Sequence, residues 1–220
     1  MTRIFPHQLS LILVVSVALV WLTPCGLLAQ TCEQRVAQAV SIEGHVEVQR
    51  TGTTQWQTVK LDDTFCPGDT IRVDDNSRAA LSLGDQPLLR LDQNTTITLA
   101  GIEEKRGSIV DLAKGAVHFF SRISRNLEVR TGFVNAGVEG TEGLIRVEED
   151  RTLITIYAGQ VLASNAAGSL ALTGGQSAEA EAGKAPVART VVRPRDAVHW
   201  ALYYPPVMLF APGEAPKKDE

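Results

Sequence analysis

The sequence predicts an all-β domain of stacked short strands, followed by one short helix. Apolar and polar residues alternate in segments that recur about every ten residues, as expected of half-buried strands. Clusters of Asp, Gly, Asn and Pro separate these segments and supply turns. Strands this short and numerous fit a sandwich or a short β-solenoid-like stack, and their spacing alone does not choose between the two.

The strands are predicted in order along residues 45–190. Those of the first half are HVEVQR (from His45), TIRVDD (Thr70), AALSLG (Ala79), LLRLDQ (Leu88) and TTITLA (Thr95). Those of the second half are SIVDL (Ser108), AVHFF (Ala116), LEVR (Leu127), GLIRVE (Gly143), LITIY (Leu153), QVLAS (Gln160), SLALT (Ser169) and APVART (Ala185). The EEDR stretch between GLIRVE and LITIY is typical of the charged tip of a hairpin.

Residues 1–29 have the layout of a secretory signal peptide. A basic start precedes an apolar run from Leu9 to Leu22, and the small residue Ala29 stands before the expected cleavage point. The run is short for a membrane span, although an uncleaved N-terminal anchor is the alternative. We therefore expect a periplasmic or secreted protein with no transmembrane segment after cleavage.

The remaining residues divide into three parts. Residues 30–190 form the predicted β-domain, and residues 191–206 form a linker helix with Pro194 in its first turn. Residues 207–220 are small, charged and proline-containing, and we expect them to be a flexible tail.

Cysteine usage predicts a disulfide. Cys25 lies in the predicted signal peptide, which leaves Cys32 and Cys66 in an exported chain whose compartment permits oxidation. If the two pair, closing the loop stabilises the fold by roughly 3 to 4 kcal/mol in the chain-entropy model. Two unrelated buried thiols are the alternative, because the sequence does not show the separation of the two residues.

Glycine stands at every third position from Gly137 through Gly140 to Gly143. A phosphate-binding loop needs a helix directly after its glycines, whereas the segment that follows Gly143 has the pattern of a strand. These glycines, together with Gly68 and Gly159, are therefore predicted to be structural and to shape corners where strands pack closely.

Composition argues against several classes of function. The net charge of −4 predicts no general attraction to nucleic acid. No metal site is predicted, since His45, His118 and His199 lack ligand spacing. No G-x-S-x-G elbow is present, so we predict no catalytic residues, no cofactor and no enzyme. The many aspartates of residues 62–92 are attributed to turns rather than to calcium.

Four aromatic residues are the candidates for a binding surface. Trp56 lies in a short strand, and Trp200, Tyr203 and Tyr204 lie in the predicted helix. Trp and Tyr combine an apolar body with a polar group, which suits interfaces. Core packing is an equal alternative for Trp56, and docking on the β-domain is an alternative for the two tyrosines.

Several of these segments together resemble the FecR family of periplasmic domains, named after the ferric-citrate regulator. The resemblance extends from about Val40 to Val161. It is carried by Gly44 with HVEVQR, Trp56, DTFCPGDTIRVDDNSRAALSLGDQ, KGAVHFFS, VRTGFVNAGVEGTEGLIRV and TLITIYAGQV. The family usually has an aromatic residue two positions after the Gly140-Thr141 pair, where this chain has Gly143.

The resemblance implies a periplasmic β-domain that works by binding. Regulators of this type carry an anti-sigma segment before their membrane span, and here only residues 1–8 precede the apolar run. The tail resembles a segment that in a secreted subgroup leads into tetratricopeptide repeats, and no such repeat follows. We therefore expect a non-catalytic binding or scaffold module of the bacterial envelope whose partner is an envelope protein. A glycan-binding domain, or a regulator that contacts an outer-membrane transporter, is the alternative.

Overall fold

The fold is all-β, as the sequence predicts. The computed structural model describes Cys32 and residues 34–84, 87–103, 107–121 and 127–190. Within the unit Glu33–Glu220, every regular element of these residues is a strand. These same residues include no helix that is long and apolar enough to cross a membrane. The predicted signal peptide, linker helix and flexible tail lie outside the described residues.

Fifteen strands are present in the described residues. The first eight are β1 (Ala37–Glu43), β2 (Val46–Gln49), β3 (Trp56–Thr58), β4 (Thr64–Phe65), β5 (Thr70–Val73), β6 (Arg78–Leu83), β7 (Leu88–Leu91) and β8 (Thr96–Glu103). The others are β9 (Gly107–Phe120), β10 (Leu127–Arg130), β11 (Asn135–Val147), β12 (Arg151–Asn165), β13 (Gly168–Thr173), β14 (Ser177–Glu181) and β15 (Val187–Arg189).

All fifteen strands belong to one mixed sheet that divides into two half-sheets. The long strands β9, β11 and β12 take part in both. The first half-sheet has the order β3-β2-β5-β8-β9-β10-β11-β12-β13, with β9 and β10 parallel. The second contains β4, β1, β6 and β7 on one side of these long strands, and β14 and β15 on the other.

One hydrophobic core is shared by both half-sheets. The first contributes Val48, Ile71 and Ile97, and the second contributes Leu81 and Phe119, each at most 1 % exposed. Each such side chain contributes about 1.5–3 kcal/mol when it is fully buried. The sheet is therefore folded so that one apolar face of each half meets the other, which is the sandwich-like alternative of the sequence analysis.

Two glycines bend the long strands where they pass between the half-sheets. Gly115 in β9 has φ +87° and Gly159 in β12 has φ +81°, a backbone region that residues with a Cβ rarely adopt. Each also lies against a buried threonine. A Cβ at Gly115 would come within 2.5 Å of Thr95 Cα, and one at Gly159 within 2.9 Å of Thr141 Cα.

Each of these threonines completes the corner through its hydroxyl group. Thr95 Oγ1 accepts the N–H of Ala116 at 3.0 Å and lies 3.2 Å from the carbonyl oxygen of the same residue. Thr141 Oγ1 makes the same two contacts with Gln160, at 3.1 and 2.9 Å. The backbone groups directly after the bend are thus bonded, although the regular ladder is interrupted there.

The corners explain a difference from the predicted strand boundaries. SIVDL and AVHFF form the single strand β9, and LITIY and QVLAS form the single strand β12. The glycine between the segments bends the strand without ending it. The predicted hairpin around EEDR is confirmed between β11 and β12. Gly143 continues into that hairpin as a strand, so the helix that a phosphate-binding loop requires does not follow it.

Gly143 and Gly137 provide a matched test of close packing within β11. A Cβ at Gly143 would lie 2.6 Å from Phe119 Cζ and 2.8 Å from the Thr155 carbonyl oxygen, whereas at Gly137 the nearest atom is the Leu162 oxygen at 4.0 Å. We expect Gly143→Ala to lower the free energy of unfolding by about 1–3 kcal/mol through overpacking. Gly137→Ala should change it by less than about 0.5 kcal/mol. Urea unfolding of both variants measures this, and equal losses would contradict it.

Candidate partner-binding face

Trp56 lies on the solvent side of the first half-sheet, at its edge. Its partner across β2 is Gln49, which points away from the core because the neighbouring Val48 is buried in it. Trp56 is half-buried, and the next two residues of β3, Gln57 and Thr58, are exposed. The structure therefore places the Trp56 side chain outside the core, which excludes the alternative of core packing. Among the described residues β3 pairs with β2 alone, so its other edge is open.

Polar side chains from three further strands surround this tryptophan. We call this surface the Trp56 face and define it by Trp56, Gln49, Glu47, Thr70, Arg72 and Thr98. Strand register places Glu47 opposite Arg72 and Thr70 opposite Thr98. The two threonine hydroxyls lie 2.9 Å apart, within hydrogen-bond distance. Along β2, β5 and β8, buried side chains alternate with the residues of the Trp56 face. The Trp56 face is therefore the polar side of a sheet whose other side is buried in the core.

Arg72 connects the aromatic ring to the charges of this face. Its guanidinium carbon lies 4.1 Å from the centroid of the Trp56 ring, within the range of a cation–π contact. The same guanidinium donates through Nε and Nη2 to Oε2 of Glu47, whose side chain is 14 % exposed. Trp56, Arg72 and Glu47 therefore hold one another in a fixed arrangement, which lowers the entropy that a binding partner must remove.

The hairpin that presents Trp56 is anchored by a buried carboxylate. Asp69 is 1 % exposed and accepts hydrogen bonds from Arg50 Nη1 at 2.8 Å, from the N–H of Thr51 at 3.0 Å and from the N–H of Cys66 at 3.0 Å. Arg50 and Thr51 follow directly after β2, so the carboxylate joins the turn toward β3 to the segment before β5. This is the turn chemistry that the sequence analysis assigned to its aspartates.

The predicted disulfide reaches the same segment. Cys32 and Cys66 are both disulfide-bonded, which confirms their pairing. The N–H of Cys66 is bonded to Asp69, and the N–H of Gly68 donates to the Leu99 carbonyl at 2.6 Å. The loop before β5 is thus fixed by one covalent bond and several hydrogen bonds.

The other predicted site residues occupy different parts of the chain. Trp200, Tyr203 and Tyr204 lie outside the described residues, so their role stays a prediction. The predicted structural glycines lie before β5 and in the neighbouring strands β11 and β12. Gly68 precedes β5, whereas Gly137, Gly140 and Gly143 lie in β11 and Gly159 lies in β12.

A shallow groove of about 340 Å³ lies across β10–β13, at the other end of the first half-sheet. Its surface includes Leu162, which is 52 % exposed, and Gly137, which leaves open space beside that leucine. Glu128 and Glu139 also border the groove. A groove of similar volume lies among the loops around Phe133 and Asn165.

The structure also reveals a partly buried polar cluster that sequence spacing did not indicate. His118 in β9 is 4 % exposed, and its Nε2 lies 3.2 Å from Oε1 of Glu142 in β11. The ring of Tyr157 lies 6.2 Å away between centroids. Within the described part of the chain, His118 Nδ1 and the Tyr157 hydroxyl are buried without a hydrogen-bond partner. Only strand register brings these residues together, so no local motif could have shown them.

Burial sets the protonation behaviour of this cluster. Desolvation lowers the pKa of His118 below its usual value, and the opposing attraction of Glu142 is smaller. Desolvation, with a smaller contribution from Glu142, raises the pKa of the Tyr157 hydroxyl. Both groups are therefore neutral at pH 7. Neither of them lines either of the two grooves described above.

Comparison with known proteins finds one family model that matches part of this sheet. The family model described as "FecR protein" matches residues 69–162. The predicted resemblance to this family is therefore confirmed over that range. The match begins at Asp69, so the part of the resemblance that lies before it, including Trp56, stays a prediction. No curated protein matches this chain.

Solved structures show the same fold. Two crystal structures described as those of a candidate anti-sigma factor from Parabacteroides distasonis ATCC 8503 align with a TM-score of 0.53 and 14 % identity. The alignments cover 60 % of this chain and 64 % and 63 % of the two neighbours, so the chain spans somewhat less than two thirds of their length. At this identity the likeness concerns the fold.

The lowered pKa of His118 predicts an acid-sensitive stability. The pKa of His118 is lower in the folded protein than in the unfolded chain, where it is near 6.5. Above pH 6.5 the histidine is neutral in both states and the fold keeps its full stability. As the pH falls from 6.5 toward the folded pKa, the unfolded chain binds a proton that the folded protein does not, and the free energy of unfolding decreases. Below pH 6.5 the wild type should lose up to about 1.4 kcal/mol per pH unit more than His118→Gln, which cannot titrate there. Urea unfolding at pH 7.5 and 5.5 measures the difference. Equal pH dependence in the two proteins would show that His118 is not held neutral by the fold.

Proposed function

We propose that this chain is an exported, non-catalytic binding or scaffold module of the bacterial cell envelope. It recognises a protein partner through the open edge of β3 and the adjoining Trp56 face. The observation that carries the proposal is the position of Trp56, which is fixed on the solvent side of a strand whose outer edge has no partner among the described residues. The FecR family match and the candidate anti-sigma factors that share the fold of this chain support a regulatory role.

The open edge and the tryptophan supply complementary parts of a protein interface. An exposed edge offers backbone N–H and C=O groups to an added strand, which gives affinity with little dependence on sequence. A tryptophan beside that edge gives specificity, because aromatic anchors dominate the binding energy of many interfaces. The polar residues of the Trp56 face surround this anchor as the rim of an interface commonly does.

Glycan binding is the less favoured alternative. Tryptophan binds sugars by stacking its ring on them, and the guanidinium of Arg72 already lies over the Trp56 ring. A sugar would have to use the remaining face of the ring or displace Arg72 from its ion pair with Glu47. A regulator that contacts an outer-membrane transporter is a narrower form of the proposal, and its support is the family match.

The proposal includes no catalysis and no cofactor. The titratable residues His118, Glu142 and Tyr157 lie near one another, and none of them lines either groove. We further propose that residues 1–29 direct export to the periplasm or medium. Residues 191–206 are proposed to form a helix whose Trp200, Tyr203 and Tyr204 add to the contact with the partner.

A quantitative capture experiment tests the proposal. The purified chain is immobilised and exposed to a solubilised envelope fraction, and the protein that it retains is purified and titrated by calorimetry. We expect Trp56→Ala to weaken binding at least tenfold, or by about 1.4 kcal/mol, because it removes the aromatic anchor. Leu162→Ser, which removes an exposed apolar side chain from β12, seven strands away from β3 in the first half-sheet, should leave the dissociation constant within about twofold.

Two results would contradict the proposal. One is binding of the retained protein that is equal for the wild type and Trp56→Ala. The other is retention of the chain on purified peptidoglycan at high salt that disappears in Trp56→Ala, since ring stacking on a glycan is little affected by ionic screening. The second result would favour the glycan alternative.

A further inference from the structure

The strand register places a histidine and two carboxylates together beside the Trp56 face. His45 precedes β2, Glu47 lies within it, and Asp74 follows β5. One ligand atom of each lies within 4.8 Å of the corresponding atoms of the other two. From this geometry we propose that His45, Glu47 and Asp74 form a binding site for Zn²⁺.

The backbone fixes all three side chains on one side of the sheet. Val46 and Val73 are paired across β2 and β5 and are buried, so His45 and Asp74 are neighbours that point away from the core. Glu47 lies two residues beyond His45 and therefore faces the same side. The N–H of Asp74 donates to the His45 carbonyl at 3.2 Å, and the N–H of His45 donates to Ser77 Oγ at 2.8 Å. The three ligands thus project from a rigid two-stranded support.

The distances are close to those that a metal requires. Ligand atoms bonded to Zn²⁺ at its usual bond lengths lie roughly 3.4 Å apart in a tetrahedral site. His45 Nδ1 lies 2.7 Å from Asp74 Oδ2, and all three ligand atoms lie within 4.8 Å of one another. Rotation about side-chain bonds alone can bring the three ligand atoms to the separations that Zn²⁺ requires, because the His45 and Asp74 side chains are about half exposed.

The donor set selects the class of metal. One imidazole nitrogen with two carboxylate oxygens suits a divalent transition metal, whereas Mg²⁺ and Ca²⁺ prefer oxygen ligands alone. Three protein ligands leave a fourth position for water or for a group of a partner. Zn²⁺ would take the place of the direct contact between His45 Nδ1 and Asp74 Oδ2.

The site is coupled to Trp56 through Arg72. Both contacts of Arg72 with Glu47 are made to Oε2, and the same guanidinium stacks on the Trp56 ring. A cation bound at Glu47 weakens that ion pair and repels the guanidinium. Arg72 then shifts relative to the indole ring, and Trp56 fluorescence reports the change. The metal site itself does not depend on the proposed function, because it follows from the three ligands alone.

Titration of the full chain with ZnCl₂ tests the site. The protein carries no histidine tag, and the buffer contains no chelator. Calorimetry should give one Zn²⁺ per chain, no binding of Mg²⁺, and a change in tryptophan emission at the same concentration. We expect His45→Ala and Asp74→Asn each to weaken Zn²⁺ binding at least tenfold. The matched control is Asp75→Asn, which alters the neighbouring aspartate outside the triad and should leave binding within about twofold.

A second variant separates the site from its readout. Trp56→Phe should abolish the emission change and retain the calorimetric binding. Absence of Zn²⁺ binding to the wild type would overturn the proposal. Binding that is unchanged in both His45→Ala and Asp74→Asn would also overturn it, because the metal would then lie elsewhere in the chain.

Discussion

Two glycine–threonine corners determine how this sheet folds on itself. At Gly115 and at Gly159, a positive φ bends a long strand, and the hydroxyl group of a buried threonine bonds the backbone just after the bend. Because the same strands continue into both half-sheets, these bends bring the two apolar faces together over one core. Without them β9 and β12 would continue straight, and one face of each half-sheet would remain in water. The shared core, and the positions of all outer residues, therefore depend on these corners.

The candidate binding face follows from this arrangement and from one buried carboxylate. Once the core side of β2 and β5 is fixed, their alternate residues must face solvent, which places Glu47 and Arg72 beside each other. Asp69 then holds the turn that leads to β3, and β3 places Trp56 over Arg72. The side chains of this surface already contact one another without a partner, which suits a protein that acts by recognition. The same register brings the proposed metal ligands to the border of this surface.

The strands and the disulfide could be predicted from the sequence, because alternation and cysteine count are local or compositional signals. The corners could not. A glycine between two apolar segments is compatible with a strand end or with a bend, and the choice depends on Thr95 and Thr141, which are distant in sequence. The cluster around His118 and the proximity of His45, Glu47 and Asp74 were not predicted, for a related reason. They converge through strand pairing, and a single sequence contains no signal for register between distant strands.

Hydrogen exchange at the corner amides tests the central claim most directly. The N–H groups of Ala116 and Gln160 are each bonded to a buried threonine hydroxyl, so both should exchange slowly in the wild type. Thr95→Val should speed exchange at Ala116 at least tenfold and leave Gln160 protected, and Thr141→Val should have the converse effect, since valine keeps the shape and removes the acceptor. Equal protection of these amides in the wild type and in both variants would contradict the claim that the threonine hydroxyls hold the corners.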